Sequence, residues 1–331
     1  MLSVIRRDIS EIVSACQALD VQGGVVGTIG VEFEEPSTRT RLSTLAACAE
    51  LGLHAVEIVE RSRLSISKGE NLADSYQVMG EIFDLFACRT TAVGMPHRIS
   101  RWTSKPVLNL GDGPGEHPSQ AVSAAVAALD HGLDFRDLTL GVWGDIVKAR
   151  TIFSTVMTFL LLGARVRLVS MVEGEIPDRL LTAATQLGLD QRLVHLPHKS
   201  DLVGVDVMYI TRLQQERRAQ FTAPSHLTLD LEDIEGVRLV LHPLPRGAEV
   251  TEKLWAALRP GLLAHVRRTK RVRKRLLQGL AHGHWTAWGE GVSWTHASHP
   301  PGQCSFTSAE EIPFFAQSES KHCAACWSRL W

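Results

Sequence analysis

The chain has 331 residues, more than one hydrophobic core usually fills, so we expect two domains. Hydrophobic residues make up 44 % and charged residues 21 %, which excludes a disordered, collagen-like or coiled-coil chain. Lys and Arg number 35 against 36 Asp and Glu, and this balance argues against a nucleic-acid partner for the chain as a whole. No apolar run reaches the roughly 20 residues that span a bilayer, the first residues lack the apolar block of a signal peptide, and six cysteines do not form a disulfide scaffold. We therefore expect a soluble cytoplasmic protein without a membrane segment.

Strand and helix patterns alternate along the chain. Apolar runs rich in β-branched residues predict strands at Val25–Phe33, His54–Val59, Val107–Leu110, Leu138–Trp143, Arg165–Val172, Val205–Ile210 and Val237–Leu241. Stripes with helical spacing lie between them, including one that extends from Leu72 to Phe86, and helices are expected to end at Gly52, Gly132 and Gly163. Repeated β–α alternation predicts the α/β class: two doubly wound parallel-sheet domains, with the active site in the cleft between them.

The predicted domain boundaries follow the composition. We expect a first domain at residues 1–130, a second at 131–260, a terminal basic helix at 261–282 and a tail of unknown structure at 283–331. Val266–Arg275 contains seven basic residues among ten, which is either a nucleic-acid patch or, as we prefer, a helix with a solvated basic face. Cys323 and Cys326 could bind zinc, but a second well-spaced ligand pair is missing, so free cysteines are favoured.

The strongest local signal is the sequence Ser37-Thr38-Arg39-Thr40-Arg41, between a predicted strand and a helix start. The free N–H groups and the positive dipole end of a helix attract anions. Hydroxyl groups add donors, and an Arg adds a planar fork suited to phosphate. The alternative is an ordinary helix cap followed by surface arginines. Two hydroxyls interleaved with two Arg at this junction favour phosphate binding.

Three further polar motifs follow predicted strands. They are His117-Pro118-Ser119-Gln120, Thr211-Arg212-Leu213-Gln214 and His242-Pro243-Leu244-Pro245-Arg246. Each motif alone could equally be a solvent-exposed loop at the end of a strand. Four strand ends that carry Arg, His, Gln and Thr favour a shared ligand site, because open α/β sheets bind ligands at the carboxyl ends of their strands.

Together these motifs resemble a known family. Phe33–Arg41, Lys68-Gly69-Glu70, His117–Gln120 and His242–Arg246, in this order, are similar to the aspartate and ornithine carbamoyltransferases over about residues 10 to 250. The resemblance implies binding of carbamoyl phosphate, attack of an amine on its carbonyl carbon and departure of phosphate. It implies no cofactor and no metal.

The resemblance also implies roles for individual residues. The carbamoyl phosphate site would comprise Ser37, Thr38, Arg39, Thr40, Arg89, His117, Gln120, Pro243 and Leu244. The catalytic residues would be Arg39, Thr40, Lys68, Arg89 and His117. The aspartate site would comprise Lys68, Arg150, Arg212 and Gln214.

Aspartate is favoured over ornithine as the amine, because Pro243 replaces a Cys typical of the ornithine enzymes and Thr211, Arg212 and Gln214 match the aspartate enzymes. The resemblance further implies a homotrimer in which Lys68 enters the site of a neighbouring subunit, and it leaves room for a regulatory or pathway-enzyme partner. Glu34 replaces a usually apolar residue, and Gly247-Ala248-Glu249 replaces a more usual Val-Asp-Glu. Because of these departures, a carbamoyltransferase that acts on a different amine remains a second hypothesis. A non-catalytic family member that serves as an assembly partner is the third hypothesis.

Overall fold

The structure is a computed structural model that describes residues 2–18, 23–58, 64–147, 149–171, 176–212 and 228–282. Its helices are α1 (Leu2–Gln17), α2 (Thr38–Leu51), α3 (Leu72–Ile82), α4 (Met95–Thr103), α5 (Pro118–Asp130), α6 (Arg150–Leu162), α7 (Asp178–Gln186) and α8 (Glu252–Ala281). Its strands are β1 (Thr28–Phe33), β2 (His54–Ile58), β3 (Leu85–Thr90), β4 (Val107–Asp112), β5 (Thr139–Gly144), β6 (Arg165–Ser170), β7 (Leu193–Leu196), β8 (Val207–Thr211) and β9 (Leu239–Leu241).

The chain forms two compact units, each built on one sheet. Among the described residues, those within 18–119 and 269–282 form the four-stranded unit, and those within 2–17 and 120–268 form the five-stranded unit. Each unit is therefore formed by two separate stretches of the chain. The predicted domains, in contrast, are continuous stretches with boundaries near residues 130 and 260. Helices α5 and α8 each begin in one unit and continue into the other.

Both sheets are parallel and doubly wound. The strand order is β2-β1-β3-β4 in the four-stranded unit and β7-β6-β5-β8-β9 in the five-stranded unit. In each sheet the chain starts at an inner strand, runs to one edge and then returns to build the other side. The reversal lies between β1 and β3 in one sheet and between β5 and β8 in the other, and such points are where open α/β sheets bind ligands. The predicted α/β class, with two doubly wound parallel sheets, is confirmed.

The central elements of the two units are buried on all sides. In α6 every residue from Thr151 to Leu161 is buried, and α1 packs against this helix. All six residues of β3, β4 and β5 are also buried. Strands buried on both faces do not need to alternate apolar and polar residues, so β3, β4 and β5 show no clear strand period.

The predicted helical stripe from Leu72 to Phe86 is wrong at its end. Helix α3 ends at Ile82, Phe83 has an extended backbone with φ −106° and ψ 146°, and β3 begins at Leu85. Phe83 and Phe86 are three residues apart, a spacing that also fits a helix. The prediction therefore missed β3, the strand that carries Arg89, and it also missed α4 and β7.

The basic segment is part of one long helix. Helix α8 begins at Glu252, before the predicted start at 261, and continues through Pro260. Its basic side chains pair with acids: Arg268 Nε lies 2.6 Å from Asp130, and Lys270 bonds to Glu50. The basic face is therefore not simply solvated, as predicted, but is partly matched to carboxylates of the fold. None of the helices in the described part of the chain is long and apolar enough to cross a membrane.

Candidate active site

The turn from β1 into α2 brings helix N–H groups and hydroxyl side chains together, which are groups that can bind an anion. Ser37 caps α2: its backbone is extended, with φ −159° and ψ 104°, and its Oγ accepts a hydrogen bond from the Thr40 N–H at 3.3 Å. Thr38 is exposed as the first helical residue, and Thr40 is buried. At this helix start the first N–H groups have no intrahelical partner and the dipole is positive. The sequence prediction of a helix start here is confirmed.

Arg89 lies near the end of β3 and connects to this turn. Its Nη1 donates to Ser37 Oγ at 3.3 Å and to Thr40 Oγ1 at 3.4 Å. Its Nε and Nη2 both lie 3.2 Å from Glu35 Oε2. Arg89 is only 9 % exposed, so its guanidinium is largely shielded from water. A buried guanidinium therefore lies beside two of the three hydroxyl side chains, Ser37 and Thr40, that the family resemblance assigns to phosphate.

Sequence reasoning missed Glu35, which pairs with Arg89. The pairing joins residues 54 positions apart in the chain. The one available signal was a carboxylate directly before Pro36 in a segment otherwise rich in basic and hydroxyl groups. Glu35 partly balances the buried charge of Arg89 and holds its fork in position.

An open pocket of about 650 Å³ lies beside the turn, entirely within the four-stranded unit. Its walls combine apolar side chains with the polar residues of the turn. They are Val31, Phe33, Glu35, Pro36, Ser37, Thr38, Arg41, Leu42, Glu57 and Ile58. A volume of this size accommodates a small organic anion.

His117 follows the next strand of the same sheet. The turn before it packs against the end of β3, because the Gly113 N–H donates to Thr90 O at 2.8 Å. A Cβ at Gly113 would lie 2.1 Å from Thr91 O, so this approach requires glycine. His117 is 6 % exposed and directly precedes α5. Neighbouring strands thus bring His117 and Arg89 to the same carboxyl edge of the sheet.

Gln120 lies in the first turn of α5 and is buried. Its Nε2 lies 3.3 Å from Nε2 of His265, a buried residue of α8. An amide N–H donates here to an imidazole nitrogen. This contact fixes the orientation of the Gln120 amide. No sequence signal indicated His265 as its partner.

Two of the four predicted aspartate-binding residues, Arg150 and Arg212, lie in the five-stranded unit. Arg150 begins α6, after β5, and Arg212 directly follows β8; both are half-buried. Strands β5 and β8 are neighbours and pair Gly144 with Thr211. Two arginines therefore follow the strands at which this sheet reverses direction, where ligand sites form. Gln214, the fourth predicted residue of this group, lies outside the described residues.

The loop after β9 is held by a buried hydrogen-bond chain. The Leu244 N–H donates to His242 Nδ1 at 2.8 Å, so the imidazole proton is on Nε2, which lies 2.8 Å from Glu249 Oε1. Glu249 Oε1 also accepts from the Gly247 N–H at 2.7 Å. Burial raises the pKa of the Glu249 carboxyl, but the bonds from His242 and Gly247 outweigh it and leave that pKa below its usual value. The chain of contacts fixes the Pro243–Leu244 turn.

Lys68 lies at the end of a short 3-10 helix, Ser65–Lys68, and is exposed. Residues 59–63, at the start of its loop, lie outside the described part of the chain. Cys323 and Cys326 also lie outside it. Among the described residues, no three His, Cys, Asp or Glu side chains come together as possible metal ligands.

Comparison with known proteins identifies the family. Residues 11–128 match the family model described as the aspartate/ornithine carbamoyltransferase carbamoyl-P binding domain. The aspartate carbamoyltransferase catalytic subunit of Methanothrix thermoacetophila is 32% identical over 262 residues, which cover 74% of this chain and 85% of that protein. The chain belongs to the aspartate/ornithine carbamoyltransferase family.

Solved structures agree with this assignment. Aspartate transcarbamoylase from Trypanosoma cruzi, in complex with N-(phosphonacetyl)-L-aspartic acid, has a TM-score of 0.70 at 25% identity, over 82% of this chain and 91% of that one. The catalytic subunit of the M. jannaschii enzyme has a TM-score of 0.66 at 25% identity, over 85% and 93% of the two chains. The two doubly wound sheets are thus the shared scaffold of this carbamoyltransferase family.

Two departures of this carbamoyltransferase from the family pattern have local structural explanations. Glu34, in a usually apolar position, accepts hydrogen bonds from the Thr91 N–H at 2.7 Å and the Thr91 hydroxyl at 3.0 Å. It therefore ties the end of β1 to the end of β3, two residues after Arg89. At Gly247, a Cβ would lie 2.7 Å from Glu249 Oε2, so glycine leaves room for the carboxylate that binds His242.

Proposed function

We propose that this chain is an aspartate carbamoyltransferase, which transfers the carbamoyl group of carbamoyl phosphate to the amine of L-aspartate and releases phosphate. The convergence of Arg89 with Ser37 and Thr40 at the start of α2 carries the proposal. A dianionic leaving group requires cations and hydrogen-bond donors, and this turn supplies both. Membership of the family and the likeness to aspartate enzymes support the same chemistry.

In this proposal the turn holds the phosphate of carbamoyl phosphate. The N–H groups and hydroxyls of Ser37, Thr38 and Thr40 donate to its oxygens, and the guanidiniums of Arg39 and Arg89 balance its charge. The positive end of α2 adds to the attraction. Because Arg89 is already fixed by Glu35, little reorganisation is needed when the anion binds.

We also assign partners to the carbamoyl group of carbamoyl phosphate. Thr40, Arg89 and His117 donate to the carbonyl oxygen, where negative charge develops, and each such donor is worth about 3–4 kcal/mol of the barrier. Gln120 binds the carbamoyl amide, and the backbone carbonyls of Pro243 and Leu244 accept its N–H groups. The fixed amide of Gln120 and the fixed turn at Leu244 suit these roles.

The amine of aspartate attacks the carbonyl carbon and forms the new C–N bond. The C–O bond to phosphate breaks, and the leaving phosphate takes the proton from the amine, so no covalent nucleophile, cofactor or metal takes part. Arg150 and Arg212 bind the two carboxylates of aspartate, because each fork suits one carboxylate. Gln214 and Lys68 complete the aspartate site.

The assembly that we propose is a cytoplasmic homotrimer in which Lys68 of one subunit enters the site of the next. Its exposure on a loop that ends at Gly69, with φ 95°, suits a lysine that reaches across a subunit boundary. A regulatory or pathway-enzyme partner would bind outside this site.

A panel of amines tests the proposal. The purified chain is incubated with carbamoyl phosphate and with aspartate, ornithine or other amino acids in turn, and the carbamoylated product is measured by mass spectrometry. We expect N-carbamoyl-L-aspartate as the main product. A higher rate with another amine would reassign the substrate, in keeping with the altered residues at 247–249. Tight binding of carbamoyl phosphate without transfer to any amine would favour a non-catalytic assembly role.

A further inference from the structure

Arg273 of α8 lies buried behind the anion-binding turn of the four-stranded unit. It is 2 % exposed, and its Nη1 donates to Ser43 Oγ in α2. The Ser43 hydroxyl in turn donates to the backbone carbonyl of Arg39 at 2.5 Å. One short chain of hydrogen bonds therefore connects α8 to the backbone of the turn itself.

The charge of Arg273 is unbalanced in the described part of the chain. No carboxylate there pairs with it, and its Nε has no hydrogen-bond partner. Burial, and after it the charges of Arg89 and Arg39, lower the pKa of the Arg273 guanidinium to about 9, which leaves it protonated at neutral pH. A buried unpaired charge is costly unless an anion comes close to it. The neighbouring cations are the two that we assign to phosphate.

We propose that Arg273 is a positioning residue of the phosphate site, which fixes the turn through Ser43 and contributes a buried positive charge that phosphate balances. The inference rests on the proposed function for the nature of the anion. Arg273, more than 200 positions away from the turn in the chain, would then contribute to phosphate binding.

The alternative is a purely structural arginine that holds α8 against α2. The two roles predict opposite patterns. If Arg273 is purely structural, its substitution lowers the stability of the ligand-free protein and leaves the phosphate affinity unchanged. The positioning residue repels Arg39 and Arg89 in the free protein, so its neutralisation costs little stability there but weakens phosphate binding.

The test measures the affinity for inorganic phosphate by calorimetry, and the melting temperature of the full chain with and without phosphate. In Arg273→Met we expect a loss of phosphate affinity of about tenfold, the size expected for one nearby charge in a partly shielded site. The stabilisation by phosphate should shrink accordingly, because it follows the ratio of ligand concentration to Kd. Arg273→Gln keeps a donor for Ser43 and should show the same loss if the Met variant does not fold.

Ser43→Ala breaks the connection to the Arg39 carbonyl but keeps the charge, so we expect a smaller loss of about threefold. Lys270→Met is the matched control: it removes one positive charge from the same helix, where the lysine pairs with Glu50, and should leave the phosphate affinity unchanged. Wild-type affinity in both Arg273 variants, or a fall in the melting temperature without phosphate at unchanged affinity, would overturn the inference. Failure of the wild type itself to bind phosphate or carbamoyl phosphate would instead overturn the proposed phosphate site.

Discussion

Nε2 of His242 lies 2.8 Å from Oε1 of Glu249, and both side chains are almost fully buried. The carboxylate thereby fixes the imidazole, and the imidazole accepts the Leu244 N–H. Leu244 has a positive φ of 59°, a conformation that a branched side chain adopts only when its surroundings impose it. Glu249 is therefore the indirect support of the turn to which we assign the carbamoyl amide.

Glu249→Gln should change the acid stability of the protein. The pKa of Glu249 in the folded state lies below its usual value of 4.5, so its ionised form adds stability above that pH. This stability is lost as the pH falls through the lower folded-state pKa. We expect the free energy of unfolding of Glu249→Gln, measured by urea denaturation, to depend less on pH below about 4.5 than that of the wild type. Parallel pH profiles of the two proteins would contradict the assigned hydrogen bonds to an ionised Glu249.

Gly247→Val restores the usual family residue and should be harmful in this chain. Its Cβ would lie 2.7 Å from Glu249 Oε2 and would displace a carboxylate that His242 and the Gly247 N–H hold in place. We expect a loss of about 1–3 kcal/mol in the free energy of unfolding, the cost of buried polar groups left without partners. Gly261→Ala serves as control, because a Cβ there meets nothing within 4 Å and Ala favours the helix. An unchanged free energy of unfolding in Gly247→Val would show that the Glu249 side chain has an alternative conformation of similar free energy.

Arg212→Ala should raise the KM for aspartate strongly and leave the Kd of carbamoyl phosphate nearly unchanged. The reason is that Arg212 follows β8 in the five-stranded unit, whereas the turn to which we assign phosphate lies in the four-stranded unit. Loss of one carboxylate fork typically costs about 1.5–3 kcal/mol, or roughly ten- to a hundredfold in KM. Steady-state kinetics and equilibrium binding measure the two effects separately. A parallel loss of both would place Arg212 in a structural role.

Much of the fold and part of the site follow from local sequence signals. The limits of α2 were predictable, because Ser37 is a good N-cap and Gly52 ends the helix with φ 82°. Strand β3 was not, because Phe83 and Phe86 fit a helical spacing as well as a buried strand. The partners Glu35 of Arg89 and Ser43 of Arg273 were also hidden, since hydrogen bonds between residues 54 and 230 positions apart depend on the assembled fold.

Lys68→Ala and His117→Ala test the shared site of the proposed trimer. Each variant alone should be nearly inactive. When the two variants are mixed in equal amounts by dissociation and reassembly, roughly three-quarters of the trimers contain both kinds of subunit. Each of these mixed trimers has one intact site out of three, so about a quarter of the wild-type activity should return. The measurement is the specific activity after mixing, with mass spectrometry to count mixed trimers. If mixed trimers form without any recovery, the two residues serve one site within one chain or Lys68 is not catalytic.

The claim that the turn at the start of α2 holds the leaving phosphate is tested most directly by the turnover rate of Arg39→Ala. The control is Arg136→Ala, which removes a guanidinium from an exposed surface pair with Asp134. The measurement is the initial rate of N-carbamoyl-L-aspartate formation at saturating aspartate over a range of carbamoyl phosphate concentrations. The account predicts a fall of at least about a hundredfold in kcat/KM for Arg39→Ala, from the loss of one charge-assisted fork to the transition state, and no change in the control. Near-normal kinetics in Arg39→Ala would contradict it.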